Sequence, residues 1–417
     1  MSVVITGVGA VTPVGGDAES TWQGLRSGKS GIQRIDYYDV SSFPVQIAGI
    51  CSDFDESRLP ASEGSKYLHR GERFGVAAAA EAIQSAGVDP GTYDPADVGV
   101  VIGGSVARPE LQEFSDAFAV RQASGGHEMH RFSPAKTLQD SQNTAASEIA
   151  RLAGAQGPVI GVSTACTASA HALGEAMRMM QDGDARMMIA GGFDALTTWC
   201  DLLGFSLLQA LATEYNDDPE HASRPFDLNR SGFVLGEGSV MMVLEQREAA
   251  EERGADIRAE LVGYGSSLNA YRMTDPPPDG GGAVIAMNAA LSEAGLTTSD
   301  VDYVVAHATS TPAGDTSETQ AIKRVFGEES SRIVVTSPKS MTGHSTCAAS
   351  ALNLLAGIYA MRDSVVSPTI NVDDQDPECD LDCVANVARE MEVDVVLVNG
   401  FAFGGTNGAL VAKRYRS

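Results

Sequence analysis

The chain has 417 residues, and its 29 Lys and Arg against 55 Asp and Glu give a formal net charge of −26. That balance argues against a general nucleic-acid binder, which needs clustered cations to neutralise phosphates. No apolar run approaches the ~20 residues of a membrane span, and Met1-Ser-Val-Val-Ile-Thr-Gly7 lacks a basic segment leading into an apolar one, so a cytoplasmic protein is expected. Six scattered cysteines (Cys51, Cys166, Cys200, Cys347, Cys379, Cys383) are too few for a disulfide framework in a chain of this length and read as thiols.

Val3 to Thr6 reads as a buried strand entering a glycine turn at Gly7-Val-Gly9, whose spacing is not that of a dinucleotide fingerprint. Helical patterns cover Ser20 to Leu25 and the alanine-rich Gly71 to Ser85, followed by a strand over Val98 to Ile102. Lys66, Arg70 and Arg73 form a short basic cluster, either a solvated helix face or a dock for an acidic partner. Val106 to Ser133 is polar and weakly periodic and reads as an excursion from the core. Next come helix Gln142 to Leu152, strand Val159 to Val162, helix Thr167 to Gln181 with a stop at Asp182-Gly183, and strand Met187 to Ala190 before Gly191-Gly192.

Tyr215 to Ser231 is loop-like; then strand Val240 to Leu244, helix Arg247 to Arg253 and strand Ala259 to Tyr264 are expected. After a proline-rich loop at 276–280, helices over Val284 to Ala294, Ser317 to Phe326 and Ala348 to Met361 alternate with strands Tyr303 to Ala306, Ile333 to Thr336, Val395 to Val398 and Ala409 to Val411. Such alternation predicts an α/β protein with helices on both faces of its sheets. The order recurs on either side of residue 250, which suggests two duplicated halves, 1–250 and 251–417, without a visible sequence repeat.

Cys166 sits where an apolar segment joins a helical pattern in Gly161-Val-Ser-Thr-Ala-Cys-Thr-Ala-Ser-Ala170. At a helix start a thiol faces unpaired N–H groups and the positive end of the dipole, which favours thiolate. A free cysteine is as commonly inert core, and the weight comes from three later stretches, each after a predicted strand, where open α/β sheets place their sites. These are Val305-Ala-His307-Ala-Thr-Ser-Thr-Pro-Ala-Gly-Asp315, Thr336-Ser-Pro-Lys339-Ser-Met-Thr-Gly-His344, and Asn399-Gly-Phe401-Ala-Phe403-Gly-Gly-Thr-Asn407, a turn able to present backbone N–H groups. No paired zinc-ligand spacing exists, Cys379 and Cys383 included. A cysteine with two strand-end histidines fits acyl transfer through a thioester better.

With Arg224-Pro-Phe-Asp227, Gly232-Phe-Val-Leu-Gly-Glu-Gly238 and Met273-Thr-Asp-Pro-Pro, these segments resemble the elongating β-ketoacyl-ACP synthases of the KAS II type over essentially the whole chain. The resemblance implies a thiolase-like fold, two duplicated α/β halves in a five-layer αβαβα arrangement, usually dimeric, that performs decarboxylative Claisen condensation. It implies that Cys166 is the nucleophile, that the N–H groups of Cys166 and Phe403 form the oxyanion hole, and that His307 and His344 assist decarboxylation. By the same analogy Lys339 and Glu318 form a buried pair ordering the histidines, Thr309 and Thr311 hold the phosphopantetheine arm, and Thr274 and Phe401 contact substrate. The resemblance implies no cofactor or metal bound by the chain itself. The implied partners are acyl carrier protein, whose phosphopantetheine carries the substrates, and an identical or chain-length-factor-like subunit, with neither nucleic acid nor membrane.

The sequence departs from the family's pattern at Ala308, Ala402, Arg272, Cys347, Ser350 and Gln209. Together these suggest altered chain or carrier preference, as in a type II polyketide ketosynthase working with a chain-length partner. A non-catalytic thiolase-fold partner is a different class of alternative, disfavoured by the intact Cys, His, His and Lys set. A coenzyme A thiolase would need a second cysteine in the last glycine-rich stretch, which has none.

Overall fold

The computed structural model describes residues 1–106, 111–128, 138–139 and 141–416. Ten strands, β1 (Val3–Val11), β2 (Val98–Gly104), β3 (Val159–Val162), β4 (Met187–Ala195), β5 (Glu237–Gln246), β6 (Ala259–Leu268), β7 (Tyr303–Val305), β8 (Val334–Thr336), β9 (Val395–Phe401) and β10 (Thr406–Lys413), carry the fold. The first five run in the order β1-β5-β4-β2-β3 and the last five in the order β6-β10-β9-β7-β8, the same arrangement twice. The pairing senses also match: antiparallel, antiparallel, parallel, parallel from β1 outward and again from β6 outward. The two sheets join where Val3, Val4 and Ile5 pair with Leu261, Glu260 and Ala259.

Six helices make the layers: α1 (Arg70–Ala86), α2 (Asn143–Ala153), α3 (Ala168–Asp182), α4 (Gly281–Ala294), α5 (Pro312–Phe326) and α6 (Ala349–Asp363). α3 and α6 lie in the middle, sharing one core with Ile5, Met188 and Leu244 of the first sheet and Leu261, Val305 and Leu410 of the second. α1 and α2 cover the outer face of the first sheet, and α4 and α5 that of the second. The result is the five-layer arrangement. Position explains periodicity: α6 is buried from Ala349 to Met361 all the way round, as a central helix must be. α1 starts on a capping box between His69 and Glu72 and stops at Gly87 with φ 62°.

Three expectations need correction. Gly7 and Gly9 lie inside β1, where a Cβ would come within 2.1 Å of the Ala82 carbonyl and 2.0 Å of the Ala78 carbonyl; they permit α1 to pack on the strand rather than turn the chain. Gly191 and Gly192 likewise belong to β4, which runs on to Ala195. Helix Trp199–Leu207 was not expected. Within the stretch read as an excursion, Leu111–Ala123 is a helix with no buried residue, while 107–110 and 129–137 lie outside the described residues. The basic cluster is partly consumed: Arg70 holds the buried Glu237 at 2.8 Å and Arg73 holds Glu56 at 2.6 Å. Among the described residues no helix is long and apolar enough to cross a membrane. Cys51, Cys166, Cys347, Cys379 and Cys383 are unbridged thiols.

Candidate active site

The C-terminal ends of β3, β7, β8 and β9 converge on one cavity. Its walls include Cys166, Thr274, His307, Thr309, Thr311, Glu318, His344, Phe401 and Phe403, brought together from stretches far apart in sequence.

Cys166 lies in a 3₁₀ turn, Ala165–Thr167, between β3 and α3. Ala165 ahead of it adopts φ 49°, a left-handed conformation uncommon for a residue with a Cβ. The bend turns the thiol off the helix axis and into the cavity. Its own N–H and that of Phe403 bond toward the sulfur and favour the anion, as does the Lys339 charge. Burial outweighs them, with Asp194 adding to it, and the thiol is pushed up to about 12. The helix start therefore does not leave a resting thiolate, contrary to expectation, because the sulfur is dry. The two N–H groups stand ready for negative charge that develops only during reaction.

His307 and His344 meet edge to face, with ring centroids 5.2 Å apart. Phe401 flanks His307 at 5.7 Å and Phe233 flanks His344 at 5.6 Å. Burial and the Lys339 charge hold both imidazoles well below the usual histidine range, so both are neutral. His307 Nδ1 and both ring nitrogens of His344 are buried without a hydrogen-bond partner among the described residues. Such atoms are costly unless something else completes them.

Glu318, from α5, accepts bonds from the N–H of His307 (2.9 Å), the N–H of Ala308 (2.7 Å) and Asn399 Nδ2 (2.9 Å). It fixes the backbone that carries His307. Lys339 Nζ is buried with no hydrogen-bond partner among the described residues, and burial brings it down to about 8 against the pull of Glu318, Cys166 and Asp315. The implied Lys339 and Glu318 pair is thus coupled through space, with no hydrogen bond between them among the described residues. Thr309 and Thr311 face each other with hydroxyls 3.2 Å apart on the loop between β7 and α5.

The turn between β9 and β10 carries Phe403, with Gly404 at φ 85° and Gly405 at φ 81°. It is tied to the 269–273 loop by Gly404 N–H to the Met273 carbonyl (2.7 Å) and Asn269 N–H to the Gly405 carbonyl (2.7 Å). Ala402 and Arg272 both line the cavity; Arg272 is ion-paired with Asp275 at 3.1 Å. Gln209 lies exposed after helix Trp199–Leu207 with φ 54°. Ser350 Oγ is buried and unpartnered beside Gly400, and Cys347 is buried. Sequence reasoning passed over Phe233 as a ring neighbour, and Asp194, whose place at a strand end after Gly191-Gly192 was the only available signal.

Comparison with known proteins agrees with this geometry. Residues 1–250 match the β-ketoacyl synthase N-terminal domain and residues 258–373 the β-ketoacyl synthase C-terminal domain. The chain belongs to the β-ketoacyl synthase family. It is 41% identical over 413 residues to a 3-oxoacyl-[acyl-carrier-protein] synthase 2 of Vibrio harveyi, covering 99% of this chain and 98% of that protein. A solved type II polyketide synthase ketosynthase bound to the hexaketide, in complex with its acyl-carrier protein, superposes with a TM-score of 0.89 at 33% identity, covering 99% of each chain. The ishigamide ketosynthase/chain length factor superposes with a TM-score of 0.89 at 31% identity over 100% of this chain and 99% of that one.

Proposed function

We propose that this ketosynthase condenses an acyl group, held as a thioester on Cys166, with a malonyl group on acyl carrier protein, releasing carbon dioxide and β-ketoacyl-ACP. The observation that carries the proposal is one cavity in which a buried cysteine with two N–H groups turned on its sulfur meets two neutral histidines with unoccupied nitrogens. In the first half-reaction Cys166 attacks the acyl thioester. The N–H groups of Cys166 and Phe403 hold the oxyanion, the departing phosphopantetheine thiolate takes the proton that left Cys166, and a neutral imidazole relays it. In the second, neutral imidazole N–H groups of His307 and His344 bond the malonyl thioester carbonyl as carbon dioxide leaves and the enolate forms. The carbanion attacks the Cys166 thioester and the sulfur departs as thiolate. Lys339 supplies positive charge from behind, Glu318 holds the His307 backbone, Thr309 and Thr311 bond the phosphopantetheine arm, and Thr274 and Phe401 border the reacting groups. Residues 1–250 thus supply the nucleophile and 251–417 both histidines.

A specific observation favours a second subunit. The edge strand β3 carries Val159 at 46% and Ile160 at 40% exposure, and helix Leu111–Ala123 exposes Phe114 and Phe118. An uncovered apolar edge strand is a ready template for pairing, here with a second thiolase-fold chain, identical or of the chain-length-factor kind. Ala402 and Arg272 on the cavity wall, with the buried Ala308 between His307 and Thr309, support a polyketide rather than a housekeeping fatty-acid role. The test is mass spectrometry of Cys166 after incubation with carrier-bound acyl chains of graded length, alone and with a co-encoded synthase-like subunit. Loading of long saturated chains by the chain alone supports fatty-acid elongation; loading that needs the second subunit, or is confined to short or unsaturated chains, supports the polyketide role.

A further inference from the structure

Asp194 is the penultimate residue of β4, is fully buried and takes no part in the steps above. One carboxylate oxygen accepts from Ser105 Oγ and from the N–H of Ala195 at 3.0 Å. The other accepts from Thr346 Oγ1 and from the N–H of Cys347 at 3.2 Å. Ser105 follows β2 and Asp194 lies at the end of its parallel neighbour β4, whereas Thr346 and Cys347 stand two and three residues after His344 in the second half of the chain. The carboxylate is therefore a clamp across the two halves.

What it clamps is the support of a side chain with none of its own. Among the described residues His344 makes no side-chain hydrogen bond. Upstream its backbone is fixed by its N–H to the Val234 carbonyl (2.8 Å) and by Gly236 N–H to its own carbonyl (3.0 Å). Downstream the first side-chain anchor is Thr346, a β-branched residue held at φ 39°, in the left-handed region that such residues avoid. The turn Thr346–Ala348 occupies at the head of α6 the place that Ala165–Thr167 occupies at the head of α3. Each follows or contains a left-handed residue, and the two turns pack on each other. Release of the Asp194 bonds would let Thr346 relax to an ordinary conformation and carry the His344 ring with it.

We infer that Asp194 is a positioning residue, joining the turn after His344 to the half that carries Cys166 and so fixing the His344 imidazole over the nucleophile. The inference rests on the role given to His344 above. It has a second, electrostatic consequence. Cys166 is faced by Lys339, which favours the thiolate, by Asp194, which opposes it, by Cys347, and across the cavity by the neutral His307 and His344. Neutralising Asp194 moves Cys166 toward lower pKa.

The experiment compares the parent with Asp194→Asn and Thr346→Val, the latter keeping shape and charge and losing only the hydroxyl bond. Three quantities are read: carbon dioxide release from malonyl-ACP, acyl loading of Cys166 from acyl-ACP, and the pH dependence of Cys166 alkylation by iodoacetamide. Misplacement of a reacting group costs on the order of 10- to 100-fold, so both variants are expected to lose that much decarboxylation while acyl loading falls far less. The alkylation profile moves to lower pH in Asp194→Asn and stays in place in Thr346→Val. A clamp that served only to stabilise the fold would lower both half-reactions together, and that result overturns the inference, as does full decarboxylation in Thr346→Val should Asp194→Asn fail to fold. A parent that releases no carbon dioxide overturns the functional reading and the inference with it. A parent active in both halves, beside variants that fall in parallel, overturns the inference alone.

Discussion

Replacing Glu318 separates its structural from its electrostatic part. Glu318→Ala orphans three buried donors, the N–H groups of His307 and Ala308 and the Asn399 amide. At about 1–3 kcal/mol for each unsatisfied group, the loss is ~3–9 kcal/mol, a large part of the ~5–15 kcal/mol that holds an ordinary protein folded. Glu318→Gln is gentler. With its oxygen where Oε1 stands, it still accepts from His307 and Asn399 and orphans only the Ala308 N–H, a cost of about 1–3 kcal/mol. It also removes the largest influence holding up the Lys339 pKa, so Lys339 falls below about 8 and gives up its charge near neutrality. Denaturant unfolding and malonyl-ACP decarboxylation, measured on both variants between pH 6 and 9, read the two effects separately. The expected result is a graded stability loss, Ala beyond Gln, and a decarboxylation rate in Glu318→Gln whose alkaline fall begins at lower pH than in the parent. Equal stability of the two variants, or an unmoved alkaline limb, refutes the reasoning.

Three further outcomes follow from the same site. Lys339→Met removes the cation that favours the Cys166 thiolate, so the pH profile of Cys166 alkylation moves upward; iodoacetamide labelling followed by mass spectrometry reads it. Because burial keeps His307 and His344 neutral well below their ordinary range, decarboxylation should hold level as pH falls through 6.5, and should decline on the alkaline side as Lys339 deprotonates near 8; a half-maximal point at the ordinary histidine pKa contradicts this. Gly405→Ala forces a side chain into φ 81° with its Cβ 3.1 Å from that of Asn269, displacing the turn that presents the Phe403 N–H. Loss of one oxyanion donor costs ~10²–10³ in rate, and a displaced donor should cost part of that, read as slower Cys166 acylation by acyl-ACP with an unchanged β9 to β10 hairpin.

Much of this site was legible because its residues stand at the ends of short apolar strands, where the pattern changes abruptly to glycine, threonine and proline. Cys166, His307, Lys339, His344 and Phe403 all have that setting, and the alternation of strand and helix disclosed the repeated architecture. What was not legible depended on three-dimensional neighbours. Gly7, Gly9, Gly191 and Gly192 carry the composition of turns, yet serve close approach within strands, a distinction made only by the element packed against them. The ionisation of Cys166 was misjudged because a helix start is visible in sequence and the dryness around the sulfur is not. Asp194 had only its place near a strand end as a signal; its partners Ser105, Thr346 and Cys347 come from both halves of the chain. Helix Trp199–Leu207 was hidden because its apolar residues lack a clear stripe: Leu202 is buried while Leu203 and Leu207 are exposed.

The central claim is that one sulfur carries the acyl chain between the two half-reactions. Intact-protein mass spectrometry of the parent and of Cys166→Ala, first with acyl-ACP and then with malonyl-ACP, tests it directly. The account predicts that the parent gains one acyl group on Cys166 and loses it on adding malonyl-ACP, with carbon dioxide and β-ketoacyl-ACP appearing together, while Cys166→Ala gains nothing and makes no β-ketoacyl product. A Cys166→Ala protein that still condenses, or an acyl group that malonyl-ACP cannot discharge from the parent, would contradict it.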